Sequence, residues 1–208
     1  KLLEQYIKEG KQVLFLLPEI ALTTQLVQRL TAYFGNEVAV FHSKYTNNER
    51  IEVWNQVLEN SPKAKVVIGV RSALFLPFSN LGCIIVDEEH EQTFKQHDPA
   101  PRYHARDAAI VLAKQHGAKV VLGSATPSLE TYYNVQSNKY GLTELKVRYG
   151  NVVLPEIQLV DLKDKYFRKK MSGHFSDELL EEITETLSKG EQVILFQNRR
   201  GFSPYVEC

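Results

Sequence analysis

Apolar residues along this chain gather in short unbroken runs, and the stretches between them repeat with helical spacing. The runs are residues 13–18 (VLFLLP), 38–43 (VAVFHS), 65–70 (KVVIGV), 83–87 (CIIVD) and 119–126 (KVVLGSAT). Strict apolar-polar alternation is missing from them, so each predicts a strand buried on both faces, the habit of a parallel sheet covered by helices. After the first run, ALTTQLVQRLTAYFG sets Leu22, Leu26, Leu30 and Phe34 on one stripe and stops at Gly35. After the second, NNERIEVWNQVLEN predicts a helix with an Asn cap and with Ile51, Trp54 and Leu58 on one face. Strand and helix alternate, which implies right-handed βαβ units: an α/β fold whose parallel sheet is flanked by helices.

The pattern changes near residue 140. Residues 141–175, richer in Lys, Gly and short extended pieces such as IQLVDL, read as a connector. Ser176 then caps DELLEEITETLSKG, with Leu179, Leu180, Ile183 and Leu187 on one face and Gly190 at the end, before a predicted strand QVILFQ. The expected organisation is a sheet-bearing domain over 1–140, the connector over 141–175, and the beginning of a second domain over 176–208. Both ends read as cut. KLLEQYIKEG resembles the last turns of a helix begun earlier, and the unit after 176 stops before its faces could be buried.

Charge and cysteine content narrow the classes. Lys and Arg number 25, as do Asp and Glu, so no global positive field points to nucleic acid and any such contact must be local. The candidates are KQHDPAPRYHAR at 95–106 and KDKYFRKK at 163–170; the second also reads as a solvated loop. No run approaches the roughly 18 apolar residues of a membrane span, and the first residues do not have the form of a signal peptide. Cys83 in a buried strand and Cys208 at the last position make no disulfide framework, so a reducing, cytoplasmic setting is expected.

The chemistry gathers where the fourth run meets Asp87, Glu88, Glu89, His90 and Glu91. The carboxyl ends of parallel strands are where α/β sheets bind ligands. There Asp87 could hold a hydrated Mg²⁺, and Glu88 could orient and deprotonate a water that attacks a phosphate. A metalloprotease is excluded, since Phe94 rather than a second histidine stands four residues after His90. The next run ends in GSATPS, where the hydroxyls of Ser124 and Thr126 could hydrogen-bond His90 and sense the phosphate. The plainer alternatives are a solvated acidic turn in the first place and, in the second, a turn that caps the helix after Pro127.

VDEEH and GSAT resemble motifs II and III of superfamily 2 helicases. Together with LPEIALTTQ, GVRSALFLPF, DEEHEQTFKQ, PRYHARD, GSATPSLET and ILFQNRRGF, in this order, they resemble the PriA (primosomal protein N′) family of replication-restart helicases over nearly the whole chain. The resemblance implies a RecA-like first motor domain, a connector and the start of a second. It implies an ATP-dependent DNA helicase that recognises stalled or branched forks, unwinds DNA and initiates primosome assembly. ATP, Mg²⁺ and Zn²⁺ are the implied cofactors; single-stranded and forked DNA, single-strand-binding protein and other primosome proteins are the implied partners.

By the same resemblance, residues 18–23 and 69–75 correspond to motifs Ia and Ib, where Thr23, Thr24, Arg71 and Ser72 would meet DNA phosphates. The stretch from Phe94 to Arg106 resembles an aromatic-rich coupling loop. Phe94, Tyr103 and His104 would offer stacking faces there, and Lys95, Arg102 and Arg106 charge. Pro101 stands where some relatives carry tryptophan. Cys208 would be the first ligand of a zinc site that these residues leave incomplete. No G-x-x-x-x-G-K-[ST] occurs in the 208 residues, and the family places it just upstream, so the chain alone is expected not to hydrolyse ATP. Two other readings stay open: another superfamily 2 translocase of the RecG or restriction-motor kind, against which RYHARD and NRRGF argue, and a non-catalytic DNA-binding module. An intact P-loop before Lys1 separates the last from an enzyme.

Overall fold

Five apolar runs become five strands. The computed structural model of the chain describes residues 2–18, 24–42, 45–147, 150 and 154–196. Its sheet is formed by β1 (Gln12–Leu16), β2 (Val38–Phe41), β3 (Val66–Gly69), β4 (Leu81–Asp87) and β5 (Lys119–Gly123), in the order β2-β3-β1-β4-β5. Every pairing is parallel: Val13 lies opposite Val66 on one side and Cys83 on the other, and Asp87 lies opposite Gly123.

The unbroken apolar character of the runs has a direct cause, since helices cover both faces. On one face, α1 (Leu2–Lys8) and α2 (Thr24–Phe34) bring Leu3, Leu26, Leu30 and Phe34 over Val13, Val66, Ile68 and Cys83. On the other, α3 (Asn47–Leu58) and α4 (Ala105–His116) bring Val53, Val57, Ala105 and Ala109 over Leu14, Leu16, Val67 and Ile84. Side chains of this kind each contribute about 1.5–3 kcal/mol when fully buried. The edge strand β5 is less covered, and Val121 remains exposed. No helix among the described residues is long and apolar enough to cross a membrane.

Several sequence expectations change here. The helix α3 turns Val53 and Val57 to the sheet and leaves Ile51, Trp54 and Leu58 exposed. Two stripes share the helical period, and the compact valines pack where the larger residues would not. Its cap is Thr46, not an asparagine: the Thr46 hydroxyl accepts from the Glu49 amide, and the Glu49 carboxylate accepts from the Thr46 amide at 2.7 Å, a capping box. The fifth strand ends at Gly123, so Ser124 to Thr126 belong to a loop. The predicted strand QVILFQ makes no ladder over 192–196, and its last residue lies outside the described residues. A strand requires a hydrogen-bonded neighbour.

Gly69 governs how β3 hands over to the site. A Cβ there would come within 2.4 Å of the Ala73 Cβ and 2.9 Å of the Phe41 carbonyl oxygen. Only glycine lets the chain turn this closely into the 3-10 turn Arg71–Phe75, which carries Arg71 and Ser72. At the opposite end of the sheet, buried Gln12 donates to the Val57 carbonyl at 2.8 Å and accepts from the Ser79 and Asn80 amides.

The chain divides into two compact units, Lys1–Thr143 and Glu144–Cys208. The second contains α6 (Leu162–Phe167), a short hairpin of β6 (Met171–Ser172) and β7 (Phe175–Ser176), and α7 (Asp177–Ser188). Ser176 caps α7 as expected, its hydroxyl accepting from the Leu179 amide at 3.3 Å. Lys165 joins α6 to α7 by pairing with Asp177 at 2.9 Å and with the Glu178 carboxylate. That ammonium holds the Asp177 carboxyl well below the usual carboxylate range.

Candidate functional site

Because all five strands run one way, their carboxyl ends share one edge, and the loops after β3, β4 and β5 meet there. Asp87 is the last residue of β4, half-buried, and its Oδ1 accepts from the Glu88 amide at 3.1 Å. Glu88 takes a left-handed backbone with φ of 50°, unusual for a residue with a side chain. This turn sends the chain back across the end of β5, and the Glu89 amide donates to the Gly123 carbonyl at 3.0 Å.

His90 is thereby brought to the loop after β5. Its Nδ1 lies 2.7 Å from the Ser124 hydroxyl and 3.6 Å from the Glu88 carboxylate, and its Nε2 lies 3.5 Å from the Thr126 hydroxyl. The Thr126 amide donates to the Ser124 hydroxyl at 3.0 Å, which fixes that loop in turn. Asp87, Glu88, His90, Ser124 and Thr126 therefore form one cluster.

Glu89 lies beneath this cluster, and sequence reasoning passed over it. It is 1% exposed. Its Oε1 accepts from the Ser128 amide at 2.7 Å, and its Oε2 from the Ser128 hydroxyl, the Thr131 hydroxyl and Arg106 Nη1 at 3.0, 2.9 and 3.1 Å. Burial alone would raise its carboxyl, but these donors together hold it below the usual carboxylate range. Arg106 also donates to Ser128 Oγ and, through Nε, to Asp107. Burial would lower its guanidinium, and the Asp107 and Glu89 carboxylates raise it instead. No local sequence signal marks this group, since Glu89's partners are 17, 39 and 42 residues away.

The loop toward α4 is ordered by its own backbone. Lys95 and His104 form an antiparallel bridge, the Gln96 amide donates to the Tyr103 carbonyl at 2.9 Å, and the Lys95 ammonium to the Arg102 carbonyl at 3.1 Å. Arg71 braces its near end by donating to the Thr93 and Lys95 carbonyls. Arg102 is exposed at the tip. Tyr103 sits edge-on to Phe75, ring centres 5.0 Å apart, and is partly buried against the core.

Three expected DNA contacts change with this geometry. Phe94 is 1% exposed and belongs to the core, so it offers no stacking face. Arg106 is buried against Glu89 rather than free for a phosphate. His104 precedes α4 with its ring half-buried and Nδ1 unpartnered, and burial pushes it below the ordinary histidine value. Ser72 lines an open groove of about 490 Å³ with Phe41, Arg50, Trp54 and Phe75. Thr24 begins α2, but its side chain is not described. Thr23 and Cys208 lie outside the described residues. Cys83 is a core thiol that burial pushes up to about 11.

The donor set fits magnesium at Asp87. Among the described residues no three His, Cys, Asp or Glu gather as a metal cage. A hard cation that keeps its waters and takes one carboxylate plus substrate phosphates needs none. Asp87 offers such a carboxylate at the binding edge, beside Gly123, which has no side chain to crowd Oδ1.

Comparison with known proteins agrees with this geometry. The chain is 45% identical over 206 residues to the replication restart protein PriA of Bacillus subtilis, 48% identical over 206 residues to that of Haemophilus influenzae, and 45% identical over 207 residues to that of Rickettsia felis. These matches cover 99%, 99% and 100% of the chain but only 25%, 27% and 31% of the relatives. The resemblance noted in the motifs thus extends along the chain, which spans between a quarter and a third of those proteins. The family model described as DEAD/DEAH box helicase matches residues 1–135, the stretch that holds the whole sheet and every residue of the Asp87 cluster, and the chain belongs to that family.

Proposed function

We propose that this chain is part of the ATP-hydrolysing motor of a DNA helicase that acts in replication restart. The observation that carries the reading is the cluster at the carboxyl edge of β4 and β5: Asp87 and Glu88 side by side, with His90 hydrogen-bonded to Ser124. Asp87 would hold the Mg²⁺ of Mg-ATP, an ion that when bound neutralises charge on the phosphates. Glu88 accepts the proton of the attacking water. His90 joins these acids to Ser124 and Thr126, so that loss of the γ-phosphate can be relayed to the loop after β5. Arg102 and the outer part of Tyr103 meet the DNA strand, and Arg71 and Ser72 meet its backbone.

The finer parts rest on the resemblance: recognition of stalled or branched forks, primosome assembly, single-strand-binding protein as a partner, zinc at Cys208 and a cytoplasmic location. So does the organisation into a first motor domain, a connector and the start of a second. Turnover belongs to the full-length protein, because the 208 residues contain no P-loop sequence. Asp87→Asn in that protein is expected to weaken binding of Mg-ATP by about tenfold or more. Titration with a fluorescent ATP analogue in the presence of magnesium checks this, and unchanged affinity would remove Asp87 from the metal.

A further inference from the structure

We propose that Glu89 and Arg106 are positioning residues, a buried latch that ties the hydrolytic acids to the Arg102 loop and to the loop after β5. The proposal rests on the reading of Glu88 as the base. Glu89 sits between Glu88 and His90 in sequence, so its carboxylate anchors the backbone that carries both. Arg106 lies in the first turn of α4, two residues after His104, whose bridge with Lys95 closes the Arg102 loop. Ser128 caps α5 (Leu129–Gln136), two residues after Thr126. The one carboxylate therefore holds all three segments, through Arg106 at 3.1 Å, the Ser128 amide at 2.7 Å and the Thr131 hydroxyl at 2.9 Å.

Chemistry separates this from a core ion pair of no consequence. A buried pair is a poor stabilising device, since apolar replacements of similar volume are often neutral or better. What such a pair supplies is direction: a planar guanidinium with fixed donors and a carboxylate with every oxygen engaged allow one arrangement. The strained backbone of Glu88 lies next to this anchor, where a shift of one ångström would move the water's base away from its proton. DNA pulling on Arg102 would reach Glu88 through the Lys95–His104 bridge, Arg106 and Glu89.

The test is made in the full-length protein with the charge-free double variant Glu89→Gln/Arg106→Met, which leaves no buried charge unpaired. Its melting temperature should stay near that of the wild type. The kcat of ATP hydrolysis with single-stranded DNA should fall about tenfold or more, with KM for ATP within about twofold. Recovery of kcat along with stability would overturn the proposal. Arg106→Lys covers the case in which the double variant does not fold: it keeps the charge but not the fork that reaches Glu89, Ser128 and Asp107 together. It should lower kcat at constant KM, and a wild-type kcat there would also overturn the latch. Glu88→Gln measured alongside separates the two claims. If it abolishes turnover while the latch variants are fully active, only the latch fails; if it retains turnover, the hydrolytic reading fails first.

Discussion

Glu88→Gln in the full-length protein is expected to lower the kcat of DNA-stimulated ATP hydrolysis by about 10²–10⁴-fold while leaving ATP binding intact. The substitution keeps shape and volume and removes only the basicity that would take the water's proton. Asp87, the proposed metal ligand, is untouched. The Glu88 side chain is 46% exposed and its carboxylate lies 3.6 Å from the His90 ring, so the substitution removes no buried interaction. Steady-state phosphate release together with nucleotide binding decides the matter. A kcat near wild type would take the base away from Glu88.

A second large effect is one of stability. Arg106→Met alone leaves the Glu89 carboxylate buried with its charge uncompensated, and breaking a buried pair from one side costs about 3 kcal/mol or more. For a domain of this size that is a fall of about 6–12 °C in melting temperature. The penalty should depend on pH. In the wild type the Glu89 carboxyl is held below its ordinary value despite its burial. Its contribution is thus present above the ordinary carboxylate range, about pH 4, and is lost as pH falls through the lower folded value. In the variant the carboxylate has lost a charged donor and takes up a proton more readily, so the gap between the two proteins should narrow on acidification. Urea unfolding at pH 7 and below pH 4 measures both quantities, and a gap that is small or independent of pH would show that Arg106 does not compensate Glu89.

The strands were legible because a sheet covered on both faces needs apolar residues at every position, and such runs stand out in β1, β3 and β4. The acid pair and the hydroxyls that meet His90 were legible for a related reason: residues placed directly at strand ends keep their position whatever the loops do. The buried face of α3 was not legible. Ile51, Trp54 and Leu58 repeat with the same period as Val53 and Val57, and only the space above the sheet chooses between them. Phe94 and Arg106 looked like parts of a DNA-contacting loop because an aromatic and a cation near other aromatics and cations read that way. Their burial depends on the 3-10 turn Gln92–Phe94 and on Glu89, which chain separation hides from any local pattern.

The central claim is that the edge formed by Asp87, Glu88 and His90 hydrolyses ATP in response to DNA. Phosphate release by the purified full-length protein with Mg-ATP, in the presence and absence of single-stranded DNA, tests it most directly. Hydrolysis that requires magnesium, rises severalfold or more with DNA and disappears in Glu88→Gln is the result predicted. Hydrolysis indifferent to DNA, or no hydrolysis at all, would contradict it.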